Sequence, residues 1–337
     1  YFGPSTGFTL TQLPALLSAE GVTTPFQADF AAGSYSVTVS LLDISGGEVV
    51  LGSGTKEFTV IAPETVNFKT SAEQFLTGYT RPSVLYDGTN YHLWYRTYGT
   101  TPMKAYHRAA NTIEDLKTAS ENELKLGEET WEGLDNFSII KGADKYYMFS
   151  SNSDGTAINV YESTDGEKWG STLTKVLDIS NSAVGDWAKK KIDNPMVVYD
   201  GTEYKLYYQG KSDTTGYQIG LATSNSLTGS YTPVAEAVLK PGTGEEWDAG
   251  QLYQPWVVKD GDFYYMWYAA GSGPKAIGYA WSTDGINWTK TDEAITTATS
   301  GYYGKPTVVK SGGNWHMWFL HESDGSSNVM YVDTMTK

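Results

Sequence analysis

One pattern of apolar and polar positions occurs five times along the chain. Each copy has an apolar run that alternates with polar residues, a short turn that contains glycine, and a second run rich in aromatic residues. Alternation with a period of two is typical of β-strands, and an Asp-Gly or Gly-Gly turn between two such runs predicts a β-hairpin. The copies are RPSVLYDGTNYHLWY from Arg81, NFSIIKGADKYYMFS from Asn136, NPMVVYDGTEYKLYY from Asn194, QPWVVKDGDFYYMWY from Gln254 and KPTVVKSGGNWHMWF from Lys305.

The spacing of the copies predicts how the hairpins assemble. Successive copies are separated by 55, 58, 60 and 51 residues, counted between their second positions. A third run of strand-forming residues follows each hairpin, so each unit has the size of one four-stranded blade. Five such units predict a five-bladed β-propeller over residues 63–337. The second positions hold Pro82, Phe137, Pro195, Pro255 and Pro306.

The fifth unit lacks an outer strand, because few residues follow Val332. An unpaired strand edge favours aggregation, and closed rings avoid such an edge. Residues 65–69 are strand-like and belong to no other unit. We therefore expect residues 65–69 to close the ring by pairing with residues 329–332.

Residues 1–62 follow a different pattern. Runs at residues 33–42, 48–51 and 56–61 alternate apolar with small polar residues across glycine-rich turns, as half-buried antiparallel strands do. This pattern resembles the later strands of a bacterial immunoglobulin-like sandwich, a fold that usually needs about 100 residues. We expect an all-β protein in which a small β-sandwich, a whole or partial immunoglobulin-like domain, precedes the propeller.

Composition supports the all-β prediction and excludes several classes of function. Aromatic residues occupy 47 of the 337 positions and glycine occupies 36, a mixture that favours strands and turns. Acidic side chains outnumber basic ones by 39 to 24, and the net charge of −15 disfavours a nucleic-acid partner. The lack of cysteine excludes disulfides, cysteine-ligated zinc and iron–sulfur clusters.

The sequence also bears on location. No apolar run approaches the roughly 18 residues that span a bilayer, so we expect no transmembrane segment. The sequence starts at Tyr1 without methionine or a signal-like segment, which indicates a processed or excised piece of a longer protein. We expect an extracellular or cell-surface protein.

The sequence assigns no metal or cofactor site. The four histidines lack the spacing of a zinc motif. Residues 153–155 and 323–325 each contain Asp-Gly and leave a structural calcium ion open as an alternative, although neither segment matches an EF-hand loop. We expect no cofactor.

The five-fold repeat and its motifs resemble those of the five-bladed propeller glycosidases, the arabinanase, xylosidase and fructosidase group. The resemblance covers about residues 64–337 and includes Tyr-x-Met-Trp-Tyr at residues 264–268 and Ser-Thr-Asp-Gly-x-x-Trp at residues 163–169 and 282–288. It implies a carbohydrate ligand at the mouth of the central channel, where the innermost strands begin. It also implies three carboxylates: a general acid, a base or nucleophile, and a third that orients and tunes the others.

The positions that match these three carboxylates hold other residues in this chain. The resemblance implies an aspartate directly before the proline in the first blade and in a later blade, where this chain has Arg81 and Asn194. It implies a glutamate as general acid two residues before a proline, where this chain has Tyr253. A guanidinium can neither activate water nor accept a proton. All three expected carboxylates are therefore missing from their matching positions.

Other carboxylates close by in the sequence leave hydrolysis open as an alternative. Asp135 and Asp193 each precede an asparagine at the start of an innermost strand, and Glu245 and Glu246 lie in the loop before the fourth innermost strand. These four are the candidate catalytic residues. The structural alternative is that an aspartate at a strand entry caps loop amides and shapes the turn.

The first positions of the five copies are expected to converge at the channel mouth, because each innermost strand starts at the same height. They carry amide or cationic side chains, and an aromatic residue precedes each of them. A polar ring with an aromatic rim suits a sugar, although aromatic residues that close the gaps between blades are the alternative. The predicted ligand-binding residues are Arg81, Asn136, Asn194, Gln254, Lys305, Trp187 and Trp247.

Three functions follow from these observations. The leading hypothesis is a secreted or cell-surface propeller that binds carbohydrate, or serves as a structural module, without strong hydrolase activity. The first alternative is an active glycoside hydrolase with a rearranged set of the candidate carboxylates. The second alternative is a subunit of a surface filament or layer that associates with itself through the N-terminal β-domain.

Overall fold

The computed structural model describes residues 33–43, 49–60, 62–64, 66–69, 71–127, 129–130, 136–272 and 276–334. The protein divides into two compact units, Tyr1–Thr65 and Val66–Lys337. In the first unit, β1 (Gly33–Asp43) and β2 (Val49–Val60) form an antiparallel two-stranded sheet. The immunoglobulin-like domain expected over residues 1–62 lies largely outside the described residues and stays a prediction.

The second unit is a five-bladed β-propeller, and each blade is an antiparallel sheet with the first strand of its repeat at one edge. Blade one contains β4 (Tyr79–Tyr86), β5 (Tyr91–Thr97), β6 (Ala105–Ala110) and β7 (Asn122–Glu123), and blade two contains β10 (Phe137–Lys141), β11 (Tyr146–Ser151), β12 (Ala157–Ser163) and β14 (Thr174–Asp178). Blade three contains β15 (Lys191–Tyr199), β16 (Tyr204–Lys211), β17 (Gln218–Ser224) and β18 (Thr232–Pro233), and blade four contains β19 (Leu252–Asp260), β20 (Phe263–Ala270), β21 (Ala276–Ser282), β22 (Thr289–Lys290) and β23 (Thr296–Thr297). Blade five contains β24 (Tyr302–Ser311), β25 (Asn314–Ser323), β26 (Ser326–Asp333) and β3 (Glu73–Thr77).

The first strands of the blades contact one another in a closed cycle, in the order β4, β10, β15, β19, β24 and back to β4. The prediction of an all-β, five-bladed propeller is therefore confirmed. The described residues contain no helix with the length and apolar character that crossing a bilayer requires. The remaining elements are α1 (Ile113–Thr118), a 3-10 helix (Asp186–Ala188), and a small sheet of β8 (Lys125–Leu126), β9 (Glu129–Thr130) and β13 (Lys168–Trp169).

The Ser-Thr-Asp-Gly turns fasten neighbouring blades to each other. The indole of Trp94 in blade one donates a hydrogen bond to the carbonyl oxygen of Gly166 in blade two, at 2.8 Å. Tyr207 occupies the same repeat position in blade three, and its hydroxyl donates to the carbonyl oxygen of Gly285 in blade four, also at 2.8 Å. Both aromatic side chains are fully buried. The repeated turn therefore serves packing between blades.

The ring is closed by β3 rather than by residues 65–69. Residues Val329 to Tyr331 of β26 pair with β3, and Leu76 lies opposite Val329. Residues 66–69 lie beside the end of β26, where Phe68 forms an isolated antiparallel bridge with Thr334. A register shift in this pairing leaves Phe75 as an extra residue, so Phe75 and Leu76 are both buried although they are adjacent. This bulge hides the alternation by which a strand is recognised in a sequence.

A row of four polar side chains crosses the interface between blades one and two. His92 Nδ1 lies 3.0 Å from His107 Nε2, and His107 Nδ1 lies 3.2 Å from Glu167 Oε1 of blade two. At the other end, His92 Nε2 lies 3.4 Å from Asp87 Oδ2. The planes of the two imidazoles are nearly parallel, and both rings stack on the buried indole of Trp94. Burial lowers the pKa of both histidines, although the carboxylates partly oppose this effect.

Replacement of Phe75 by alanine should weaken ring closure. The ring of Phe75 contacts Trp318 and Tyr331, each at a centroid distance of 5.8 Å. We expect Phe75→Ala to lower the free energy of unfolding by about 3–5 kcal/mol, as measured by urea denaturation. The control is Gln74→Ala on the exposed side of the same strand, with an expected change within about 0.5 kcal/mol. Equal effects of the two substitutions would contradict a closing role for β3.

Acidification should destabilise the interface between blades one and two. Because the pKa of His92 and of His107 is lowered in the folded state, the unfolded state holds more protons once the pH falls below about 6.5. The free energy of unfolding is therefore not reduced by these two histidines above this pH, and it decreases as the pH falls below it. We expect the melting temperature to fall between pH 7.5 and 5.5, and to fall less steeply in the double variant His92→Gln, His107→Gln. The variant His321→Gln, outside this interface, should keep the slope of the wild-type protein; a double variant with that same slope would refute this origin.

Candidate ligand site at the channel mouth

In four of the five blades, the residue before the proline has a left-handed backbone conformation, with φ between 51° and 56°. Each of these residues lies at a register shift between the first and second strands of its blade. Two residues of the first strand there face one residue of the second, which is the geometry of a β-bulge. Such a conformation costs a non-glycine residue on the order of 1–3 kcal/mol and persists where the surrounding structure holds it. The four residues are Arg81, Asn194, Gln254 and Lys305.

Together with Asn136 of blade two, these residues form one hydrogen-bonded network at the channel mouth, and we call these five residues the ring. Arg81 donates its Nε–H to Oδ1 of Asn136 at 3.0 Å. Lys305 Nζ donates to the same oxygen and to Oδ1 of Asn194. The backbone N–H of Lys305 donates to Oε1 of Gln254 at 2.6 Å. The structure thus brings all five first positions of the repeat together.

Asp193 is the one carboxylate among the described residues that hydrogen-bonds to this ring. Its Oδ1 accepts from Nδ2 of Asn136 at 2.9 Å, from the backbone N–H of Asn194 at 2.7 Å and from the hydroxyl of Ser151. Its Oδ2 lies 3.3 Å from Nζ of Lys191, and the residue is only 5% exposed. Burial alone would raise the pKa of Asp193, but the nearby ammonium groups and these hydrogen bonds hold it below its usual 3.8. Asp193 is therefore a carboxylate anion whose charge and hydrogen-bonding capacity are already used by partners within the folded protein.

Apolar side chains line a small pocket next to the ring. The second positions of the five repeats, four prolines and a phenylalanine, lie there together with Trp256, and the cavity among them measures about 30 Å³. A cavity needs only about 10–15 Å³ of such space to hold a water molecule, so this one has room for water. Asn194, Gln254 and Lys305 of the ring line the same pocket, which we call the cup, so its lining combines polar and apolar side chains.

The structure describes two of the other three candidate carboxylates, and neither of them lines this cup. Asp135 lies outside the described residues. Glu245 and Glu246 are exposed in the loop before β19, where Glu246 Oε1 accepts a hydrogen bond from the hydroxyl of Thr243 at 3.3 Å. The structure shows no hydrogen bond from either glutamate to a described ring residue.

The predicted aromatic rim occupies equivalent places on blades three and four. Trp187 stacks on Tyr208 at a centroid distance of 6.1 Å, and Trp247 stacks on Tyr268 at 5.8 Å. The indole Nε1–H of Trp187 donates to the backbone carbonyl of Ala235 at 2.9 Å, and that of Trp247 donates to the backbone carbonyl of Thr291 at 3.5 Å. Both carbonyls lie beyond the third strand of the same blade. Both tryptophans pack on their own blades and remain half-buried. A ligand contact by either residue stays a prediction.

Three residues at the mouth escaped the sequence analysis. Ser151 and Lys191 bind Asp193, and Oε1 of Gln209 accepts the backbone N–H of Gln254 at 2.9 Å. Ser151 and Gln209 end or nearly end the second strands of their blades. A sequence signal that could have found Ser151 and Gln209 is a polar residue directly after the aromatic-rich run, near the end of the second strand of the blade.

The loops considered for calcium fold as tight turns. Oδ1 of Asn152 accepts the backbone N–H groups of Thr156 and Ala157, at 2.8 Å and 2.9 Å, and so closes the first loop. In the second loop, Asp324 and Gly325 both have positive φ values. Within the described part of the chain, no three histidine or acidic side chains are grouped to hold a metal ion. A structural calcium ion stays a prediction.

Comparisons with known proteins bear on the propeller. No family model matches the chain. An uncharacterized protein of Mycobacterium tuberculosis strain H37Rv is 38% identical over 142 residues, which cover 36% of this chain and 45% of that protein. A probable arabinan endo-1,5-alpha-L-arabinosidase A of Aspergillus flavus is 36% identical over 109 residues, which cover 30% of this chain and 31% of that protein. The chain thus spans less than half the length of each of these relatives.

Two solved structures match most of the chain. One, described as a BT0996 RGII complex, has a TM-score of 0.59 at 15% identity, and the match covers 80% of this chain and 91% of the other protein. The other structure, the catalytic domain of a GH62 alpha-L-arabinofuranosidase from Coprinopsis cinerea, has a TM-score of 0.57 at 14% identity, and the match covers 81% and 98%. Identities this low establish the fold alone. At that level, the predicted resemblance to the propeller glycosidases is confirmed.

Removal of the Asp193 carboxylate should destabilise the propeller. Asp193→Ala leaves the donors of Asn136 and Ser151 without their acceptor, and we expect the free energy of unfolding to fall by about 2–4 kcal/mol at pH 7. Asp262→Ala, at an exposed turn, is the control and should change it by less than about 0.5 kcal/mol. Because the pKa of Asp193 is lowered, its contribution is present above pH 3.8 and is lost in stronger acid. A stable Asp193→Ala protein would show that the carboxylate is not held by the fold.

Proposed function

We propose that the channel mouth binds carbohydrate without hydrolysing it. The observation that carries the proposal is the ring itself: four residues adopt an unfavourable backbone conformation, and hydrogen bonds join them to one another and to Asn136. Backbone strain that recurs at one place is typical of a functional site.

The side chains of the ring suit sugar hydroxyls. Amides such as Asn136, Asn194 and Gln254 both donate and accept hydrogen bonds, and a sugar hydroxyl does the same. The partly exposed Arg81 and Lys305 add further donors. The names of similar proteins support a carbohydrate ligand, because one relative is a probable arabinosidase and one similar fold is described in a complex with RGII.

The chemistry of the mouth argues against hydrolysis. A glycosidase needs two carboxyl groups on either side of the scissile bond, at roughly 5–5.5 Å or 6.5–9.5 Å from each other. Among the described residues of the ring and its partners there is one, Asp193, and it is buried and occupied by structural hydrogen bonds. Asp193 is thus poorly placed to exchange a proton with a substrate.

Binding should depend on the ring and not on the surface around it. We expect Arg81→Ala to weaken the affinity for the best-bound member of an oligosaccharide panel at least about ten-fold, a loss of about 1.4 kcal/mol, as measured by calorimetry. The exposed Lys240 is the control, and Lys240→Ala should leave the affinity unchanged within about two-fold. Affinity that survives Arg81→Ala would place the carbohydrate site elsewhere.

Hydrolysis is tested on the same panel. Incubation of the protein with arabinan, xylan and levan oligosaccharides should release no shorter products at a rate above that of the Asp193→Asn variant. Turnover that Asp193→Asn abolishes would contradict the proposal and favour an enzyme that combines Asp193 with a second carboxylate, for which Asp135, directly before Asn136 in the sequence, is a candidate.

A further inference from the structure

A strand of the chain itself is added to the Ser-Thr-Asp-Gly turn of blade two. After β7 the chain leaves blade one, and β8 pairs in parallel with β13 of blade two. The backbone N–H groups of Lys125 and Gly127 donate to the carbonyl oxygens of Glu167 and Trp169, at 2.9 Å and 2.7 Å. Trp169 is only 1% exposed. The backbone that follows this turn therefore has its acceptors paired and its indole covered.

Blade four repeats the turn without the added strand. Oδ1 of Asp284 accepts the backbone N–H groups of Ile286 and Asn287, at 2.8 Å each, and Oδ1 of Asp165 closes the turn of blade two in the same way. The carbonyl groups of Ile286 and Trp288 thus correspond to the two carbonyl groups that bind β8. No backbone N–H group of the described residues donates to either of them.

The path of the chain in blade three explains the difference. Leu124 and Val234 each follow directly on the outermost strand of their blade, β7 and β18 respectively. After Leu124 the chain crosses to blade two, whereas after Val234 it returns to its own blade, where the backbone N–H of Val238 donates to the carbonyl oxygen of Ile219 at 2.8 Å. Blade three therefore leaves the corresponding place on blade four open.

This open place is a groove of about 420 Å³ between blades three and four, which we call the outer groove. Ligand-binding clefts typically measure about 300–1,000 Å³. Ile286, at the groove, is 42% exposed, and Trp288 is partly exposed where its counterpart in blade two is buried. The groove thus offers apolar surface beside unpaired backbone acceptors. Its lining consists of Val234, Glu236, Ala237, Val238 and residues 286–289.

The charge of the outer groove indicates which peptide fits there. Glu236 lines the groove and pairs with Lys240 at 3.1 Å, but both side chains are more than half exposed, and such an ion pair contributes little. The net charge of −15 attracts a basic segment at long range. In the strand that occupies the matching place on blade two, Lys125 stands between two leucines. A basic residue between two apolar residues therefore suits the outer groove.

We propose that the outer groove binds an extended peptide segment of a partner protein, with a lysine or arginine between two apolar residues, as a strand parallel to residues 286–288. Peptides that add a strand to an exposed backbone edge gain affinity from main-chain hydrogen bonds and specificity from the contacts of alternate side chains. Alternate N–H groups of the peptide donate to the carbonyl groups of Ile286 and Trp288, as those of β8 do in blade two. No ring residue lines the outer groove, so this site is distinct from the channel mouth.

The probe is a synthetic peptide with the sequence of residues 122–127, Asn-Glu-Leu-Lys-Leu-Gly. Its affinity for the whole protein is measured by fluorescence anisotropy at pH 7. We expect N-methylation of the backbone nitrogen of its lysine, which pairs with the protein, to weaken binding at least about ten-fold. N-methylation of the next leucine, whose nitrogen points to the opposite side of the strand, is the control and should change the affinity by less than about three-fold.

Variants of the protein locate the bound peptide. Ile286→Arg places a cation where the basic peptide binds, and we expect it to weaken the affinity at least about ten-fold. The control is Leu173→Arg, which adds the same charge at a 49% exposed residue of blade two outside the outer groove, and it should change the affinity by less than about two-fold. Because the N-methylated peptides are compared on the wild-type protein, the inference remains testable if Ile286→Arg fails to fold.

Three results would overturn the inference. Equal affinities of the two N-methylated peptides would show that the strand is not added in this register, and an affinity that survives Ile286→Arg would place the peptide elsewhere. Failure of the unmodified peptide to bind at about 1 mM, a free energy of about −4.1 kcal/mol, would also overturn it. An oligosaccharide whose binding Ile286→Arg abolishes would assign the outer groove to sugar instead. The proposed function is tested separately, by the effect of Arg81→Ala on oligosaccharides, and Arg81→Ala should leave the peptide affinity unchanged.

Discussion

The pairing of β3 with β26 is the constraint on which the propeller depends. It joins a strand near the start of the second unit to the last strand of the fifth blade, and with it the five first strands form a closed cycle. An open ring would leave the edge of β26 unpaired and would let the first and last blades separate. Because each ring residue comes from a different blade, the closure of the whole molecule fixes the shape of the mouth, and no single hairpin could form it.

Most of this fold could be predicted from the sequence because the relevant signals are local. Alternation in the two runs of each hairpin and the glycine of each turn determine the strands, and five regular steps determine the number of blades. The closing strand could not be recognised in the same way. Phe75 and Leu76 are adjacent apolar residues that a bulge turns toward the core, whereas Val66 and Phe68 show the alternation of a regular strand but only continue beside the end of β26.

The site was predictable to a similar degree. Equivalent repeat positions lie at the same height in each blade, and this symmetry alone locates Arg81, Asn136 and Lys305 at the mouth. The left-handed conformation was not predictable, because the residue before a proline usually favours an extended backbone. The partners of the ring were also hidden, since Ser151 and Gln209 reach it only through contacts between different blades. For Trp187 and Trp247, a sequence pattern cannot distinguish a rim that contacts ligand from one that packs on its own blade.

The ring departs from the five-fold symmetry of its scaffold, and this departure is a condition for its stability. Five identical cations in so small a volume would repel one another. In this protein, Asn136 accepts hydrogen bonds from blades one and five while it donates to Asp193 of blade three. A propeller assembled from identical copies would lack this division into donors and acceptors. Divergence of the copies at a single position in each blade is therefore what turns a repetitive framework into one asymmetric arrangement of hydrogen-bond donors and acceptors.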